Sequence, residues 1–147
     1  MIREAAAPTD EWNLATVRVP RRVIEEIEAH ARAAGPNECC GLLLGAPDEI
    51  VTSFRAQNER DSATRYRIAP EDHFAAIRHA RAVELDVIGA YHSHPSSPPI
   101  PSSTDLLESI PGRFLYVIVG RDPDGSSSTR AWRVIDGNFR PVPLVTV

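Results

Sequence analysis

Two imidazoles, one hydroxyl and one carboxylate fall within fourteen residues of this chain: His92, His94, Ser102 and Asp105. The residues before them, Val87-Ile88-Gly89-Ala90-Tyr91, read as a buried strand. On a strand, residues two apart share a face. His92 and His94 therefore project side by side, as two ligands of one metal ion must. The Pro/Ser stretch from Ser96 to Pro101 turns the chain back. Asp105 then sits in the first turn of the next element and can supply a third ligand. Two imidazoles, one carboxylate and an open fourth position describe a catalytic zinc site, not a closed structural one. The His-x-His pair alone fits two surface or hydrogen-bonded histidines equally well. The residues that follow it carry the argument.

The elements that must position these groups can be read from pattern. Thr16 to Val19 is a short strand. Pro20 opens a helix in which Val23, Ile24, Ile27, His30 and Ala31 recur at helical spacing, and Gly35-Pro36-Asn37 ends it. Glu38 to Gly45 reads as a central strand, with Ile50 to Ala56 as its antiparallel neighbour across the Pro47-Asp48 turn. Arg65 to Ile68 reads as a short edge strand. Pro70 opens a second helix with Phe74, Ile77, Ala80 and Val83 on one face. Val87 to His94 carries the ligands, and Asp105 to Ile110 is a short helix. Phe114 to Gly120, Ser128 to Ile135 and Phe139 to Leu144 complete the sheet as a meander, with turns at Asp122-Pro123-Asp124-Gly125 and Asp136-Gly137-Asn138. Pro141 and Pro143 put the last strand at an edge. The fold class is α/β, a mixed and largely antiparallel sheet flanked by helices. Residues 14–147 form one domain behind a loose tail, residues 1–13.

Glu38 stands at the mouth of a strand that is apolar on both faces. A carboxylate there is costly unless it meets a cation or hydrogen-bond donors. By itself it reads as a solvated strand-end glutamate; beside a metal it becomes a proton acceptor. Ser102 likewise has two readings. Ser-x-x-Asp before an apolar helix is an N-terminal cap, while a hydroxyl on the rim of a metal site can donate to a developing oxyanion. Ser93 faces away from the ligands by strand alternation. His30, His73 and His79 read as helix-surface residues without matching partners.

His-Ser-His-Pro, six residues, Ser, two residues and Asp, with Glu38 upstream in Glu38-Cys39-Cys40-Gly41-Leu42-Leu43-Leu44-Gly45, resembles the signature of the JAMM (MPN-plus) zinc metalloproteases. Asn58, Ser62, Tyr66 and Ile68 resemble the family's intermediate segment. The resemblance covers roughly residues 14 to 140. It implies the MPN fold, with cytidine-deaminase-like layering, and Zn2+ on His92, His94 and Asp105. It implies Glu38 as general acid/base and Ser102 as oxyanion donor. The implied activity is hydrolysis at the C-terminal tail of ubiquitin-fold proteins. Other His-x-His hydrolases fit less well. Metallo-β-lactamase-like enzymes want Asp-His directly after the pair, where this chain has Ser96-Ser97-Pro98. Amidohydrolase barrels need roughly 250 residues.

Composition agrees with a small cytoplasmic enzyme. The 147 residues suffice for one core, and the net charge of −4, with no basic stretch interleaved with aromatics, argues against nucleic acid. No apolar run reaches membrane-spanning length, and no signal-peptide pattern opens the chain. Cys39 and Cys40 are adjacent and read as buried free thiols.

Within the resemblance, eukaryotic deubiquitinases carry two insertions. Here only residues 106–113 separate Asp105 from the Phe114 strand, and the Asn58–Ile68 segment is short. The expected partner is therefore a ubiquitin-like sulfur-carrier protein, with removal of ubiquitin-like modifiers as the alternative. A non-catalytic, dimerising MPN scaffold is the rival from another class, and retention of all five motif residues argues against it; a homodimer stays open. An extended Gly-Gly tail offers few side chains, so Arg65, Tyr66, Arg67 and Ile68 are expected to bind it by strand addition, opposite the stiff Ser96–Pro101 loop.

Overall fold

The computed structural model describes residues 14–110 and 112–147; the expected loose tail, residues 1–13, lies outside them. Among the described residues, eight strands and three helices follow in the order β1 (Val17–Val19), α1 (Arg21–Ala34), β2 (Cys40–Ala46), β3 (Glu49–Ala56), α2 (Pro70–Ala82), β4 (Asp86–Ser93), α3 (Ser103–Leu107), β5 (Leu115–Arg121), β6 (Ser127–Ile135), β7 (Asn138–Val142) and β8 (Leu144–Thr146). They form one mixed sheet in the order β7-β6-β5-β4-β2-β3-β1-β8. β2 pairs antiparallel with β3 and β4, while β4 and β5 run parallel. The α/β expectation and the central place of β2 hold.

The core has a physical order. Leu42, Leu43 and Leu44 are buried on both sheet faces, which is why β2 can only be interior. One face packs on α1 through Val17, Val23, Ile27, Leu43, Tyr91, Val117 and Val142. The other packs on α2 through Leu42, Leu44, Ala76, Ala80 and Ala90. Farther along that second face, Tyr116, Ile118, Trp132 and Val134 form a third cluster under Leu106 of α3. Each large aliphatic side chain buried this way contributes ~1.5–3 kcal/mol.

Four sequence expectations need correction. Phe139 to Leu144 is not one strand. Pro141 sits on β7, opposite Trp132, and only Pro143 separates β7 from β8, which pairs in parallel with β1 at the other end of the order. A proline cannot donate to a ladder, so pairing stops there. The two ends of the sheet therefore lie close together, and the sheet curls around α1. In α2 the inward face is Ala76 and Ala80, while Phe74 and Val83 point outward at 62% and 48% exposure. Only small residues fit where this helix lies against β2 and β4. The helix carrying Asp105 starts earlier and is shorter than expected, Ser103–Leu107, because its cap lies at Ser102.

Arg65 to Ile68 is the fourth. It forms no strand; a single bridge joins Ile68 to Asn58. The Asn58 side chain is the reason. Its amide donates to the Arg65 and Glu38 carbonyls at 3.0 and 3.1 Å, and its oxygen accepts the Arg67 and Arg60 N–H groups at 2.9 and 3.0 Å. Glu59 N–H takes the Arg67 carbonyl at 2.9 Å. The Arg65 carbonyl and both backbone groups of Arg67 are thus turned to Asn58 and Glu59. Among the described residues, no helix is long and apolar enough to cross a membrane.

Candidate metal centre

The Cys40–His92 register places His92 on the face of the sheet that also carries Leu42 and Ala90. His92 and His94 emerge together from the end of β4, and the His94 N–H continues the ladder by donating to Val119 O at 2.8 Å. α3 brings Asp105 to the same point. The three ligand atoms form a closed triangle: His92 Nε2 to His94 Nε2, His92 Nε2 to Asp105 Oδ2 and His94 Nε2 to Asp105 Oδ2 are each 3.2 Å. All three residues are buried, with at most 8% exposed.

This cluster fits a cation. The His94 Nδ1–H donates to the Pro98 carbonyl at 2.9 Å, which turns Nε2 into the triangle, where it meets Asp105 Oδ2. A tetrahedral ion with bonds of about 2.0 Å sets its ligand atoms about 3.3 Å apart. The triangle already has that size. Burial raises the Asp105 carboxyl, yet hydrogen bonds from His92 and His94 outweigh burial and hold it well below the usual carboxylate range. Burial pushes His92 towards its neutral form. For His94 burial works the same way, but hydrogen bonds to Asp105 and Pro98 win, and its proton affinity rises. Among the described residues these three are the His/Cys/Asp/Glu grouping able to hold a metal ion.

Glu38 lies just before β2. Its N–H donates to Ser62 O at 2.7 Å and its carbonyl accepts from Asn58, so the 57–69 segment grips its backbone from both sides. Its side chain is 4% exposed and Oε1 has no hydrogen-bond partner. Burial first, then the Asp105 and Glu108 charges, push the carboxyl up to about 8 against the opposing charge of His94. The carboxyl is thus a buried acid that feels the charges of two cluster members.

Ser102 is an N-cap. Its Oγ accepts the Asp105 N–H at 3.0 Å and its own N–H donates to Asp105 Oδ2 at 2.9 Å, a reciprocal capping box. Capping uses a lone pair of the hydroxyl. Its proton remains free to donate, and the residue is exposed beside the cluster. Cap and oxyanion donor are therefore compatible at one atom. Ser93 points away from the cluster, as expected, and its buried Oγ accepts the Cys39 N–H at 2.8 Å. Cys39 and Cys40 are buried free thiols. His73 and His79 are exposed on α2, whereas His30 turns inward and meets the Tyr91 hydroxyl at 2.7 Å.

Three features were not read from the sequence. Tyr66 stacks on the His92 ring, centroids 4.4 Å apart at 20°. The His92 Nδ1 atom has no hydrogen-bond partner, so ring packing holds this ligand where a carbonyl holds His94. The Pro98 carbonyl is backbone and leaves no sequence trace. Gly120 was readable, because an isolated glycine in an apolar strand signals a close backbone approach. Of the expected tail-binding group, Tyr66 lies against the ligands, and Arg65 pairs with Glu108 at 3.7 Å. An open groove of about 400 Å³ runs past His94 between α1 and the ends of β4 and β5, walled by Ala31, Arg32, Ala63, Pro95 and Gly120.

Residues 20–135 match the family described as prokaryotic homologs of the JAB domain. The desampylase of Haloferax volcanii is 34% identical over 115 residues, covering 74% of this chain and 81% of that protein. The CysO-cysteine peptidase of Mycobacterium tuberculosis is 28% identical over 128 residues, 85% and 87% of the two chains. A solution structure from Desulfitobacterium hafniense superposes with a TM-score of 0.80 at 25% identity, covering 90% of this chain and 93% of that one.

Proposed function

This chain belongs to the prokaryotic JAB-domain family, and on that premise we propose that it is a zinc-dependent peptidase acting at the C-terminal tail of a ubiquitin-like sulfur-carrier protein. The relatives named above are peptidases, a Thermus thermophilus relative is named a probable TtuB-protein conjugate cleaving protease, and this chain is a hydrolase of the same kind. The observation that carries the proposal is the 3.2 Å triangle of inward-facing ligand atoms beside the unpartnered Glu38 carboxyl.

His92, His94 and Asp105 would hold the ion. Bound zinc supplies Lewis acidity, which polarises a carbonyl and lowers the pKa of water towards roughly 7. Glu38 takes the proton of the attacking water at its carboxylate and returns it to the leaving amine. Burial of Glu38 keeps that proton from exchanging with bulk water. The Ser102 hydroxyl donates to the oxygen that gains charge at the scissile carbonyl. The tail approaches between the 57–69 segment, through Arg65, Tyr66, Arg67 and Ile68, and the Ser96–Pro101 loop. Because that segment forms no strand, side-chain and loop contacts replace strand addition in this reading. Free thiols at Cys39 and Cys40 suit a reducing cytoplasm.

The similarity to a desampylase supports a second reading, removal of a ubiquitin-like modifier from a protein lysine. One assay separates the two. Carriers ending in Gly-Gly, with a C-terminal cysteine adduct, a short peptide extension or an isopeptide to lysine, are incubated with the protein and the products weighed. Cleavage of the cysteine adduct alone supports carrier processing, and cleavage of the isopeptide alone supports modifier removal. The protein should hold about one zinc per chain. Stoichiometric zinc in a variant with His92, His94 and Asp105 all replaced by Ala would overturn the ligand assignment.

A further inference from the structure

We propose that Gly120 and Trp132 are positioning residues for the metal centre: they hold the Ser96–Pro101 loop so that the Pro98 carbonyl fixes the His94 ring with Nε2 facing the ligand triangle. The inference deepens the zinc reading and rests on it for its affinity arm.

Three successive carbonyls of this loop have separate donors. Ser97 O accepts the Arg121 N–H at 2.7 Å, at the end of β5. Pro98 O accepts the His94 Nδ1–H at 2.9 Å and also the Ile100 N–H at 2.8 Å. Pro99 O accepts the Trp132 Nε1–H at 3.1 Å, from β6. The Pro98 carbonyl is thus carried between two anchors on neighbouring strands. Pro98 and Pro99 have no N–H of their own, so this stretch meets the sheet through its acceptors.

Gly120 makes the first anchor possible. A Cβ at this position would lie 2.5 Å from Ser97 O, 2.6 Å from Pro99 N and 2.8 Å from Pro98 C. All three are backbone atoms, so no side-chain rotation relieves the clash and the loop must lift. Lifting it draws Pro98 O away from His94. Trp132 is 8% exposed and packs with Tyr116 and Ile118 under α3, so its indole is a fixed donor. A neutral imidazole carries one proton, on either nitrogen. Only the form protonated at Nδ1 has a lone pair at Nε2 for a metal. Hydrogen-bond partners of this kind typically change metal affinity by ~10–100-fold. The His92 Nδ1 atom has no such partner and its Nε2 meets Asp105 Oδ2, so among the two rings a carbonyl fixes Nδ1 of His94 alone.

The test uses the full chain with Gly120→Ala and Trp132→Phe. Long-range 1H–15N spectra of the metal-free proteins, in mildly alkaline buffer, report which His94 nitrogen is protonated. Competition with a chromophoric chelator reports zinc affinity. The parent should show His94 Nδ1 protonated, since the Pro98 carbonyl can only accept there. Both variants should show a mixture and bind zinc ~10–100-fold more weakly. If Gly120→Ala does not fold, Trp132→Phe decides, since it keeps an aromatic ring while removing the donor and part of the indole's volume. An unchanged tautomer in Trp132→Phe overturns the proposal, even if zinc affinity falls, because the loop would then act by packing alone. A parent protein that binds no zinc would sink the zinc reading, while the metal-free spectra would still decide this one.

Discussion

Glu38→Gln replaces a buried acid by a neutral amide of nearly the same shape, and its effect on the metal-free protein can be worked from the structure. Burial first, then Asp105 and Glu108, raise the Glu38 carboxyl from its ordinary 4.5 to about 8, against the opposing His94 charge. The folded protein therefore binds this proton more tightly than the unfolded chain. The resulting stability is fully present below 4.5 and is lost as pH rises through about 8. Each tenfold change in proton affinity is worth ~1.36 kcal/mol, so the interval from 4.5 to about 8 amounts to about 5 kcal/mol. Chemical denaturation with excess chelator, from about pH 5 to about pH 9, reads this directly. The variant and parent should agree at the acid end. The variant should gain progressively, reaching about 3–5 kcal/mol at the alkaline end. Titrations of other groups cancel in the difference unless they couple to Glu38. Zinc should shrink the gap, because a nearby cation favours the carboxylate. With zinc bound, turnover of the variant should fall by ~10²–10⁴ while metal is retained. A stability difference that stays flat across the pH range refutes the reasoning, since it would mean that Glu38 is solvated.

Ser102→Ala tests a residue that caps a helix and is proposed to serve the oxyanion. Loss of the cap should cost about 1 kcal/mol in stability, and loss of the oxyanion donor should lower kcat by ~10²–10³ with little change in KM; a stability loss without a kcat loss would leave only the cap. Tyr66→Phe keeps the stack on His92 and should bind zinc like the parent, whereas Tyr66→Ala removes a ring contact worth ~0.5–1.5 kcal/mol and should weaken zinc by about 2–12-fold. Equal zinc affinity in both Tyr66 variants, by chelator competition, would show that the stack does not hold the ligand.

What the sequence determined by itself is the local part of this protein. His92, His94, Ser102 and Asp105 lie within one strand, one loop and one helical turn, so their spacing already limits where their side chains can go. The interior place of β2 follows from leucines on both faces. Tertiary structure decided everything that depends on partners distant in sequence. Asn58 captures the backbone of Arg65 and Arg67, which turns an expected edge strand into a wall of the site. α2 turns Ala76 and Ala80 inward and Phe74 outward, because close packing on the sheet outweighs the burial of one larger side chain. β8 leaves β7 at Pro143 and crosses to β1, a step set by sheet curvature. His92 and His94 are held differently, one against a ring from the 57–69 segment and one by a carbonyl of the loop that lies on Gly120 and Trp132. Ligand identity is a matter of side-chain chemistry at short spacing. Ligand orientation depends on contacts between segments that meet only once the sheet has closed around them.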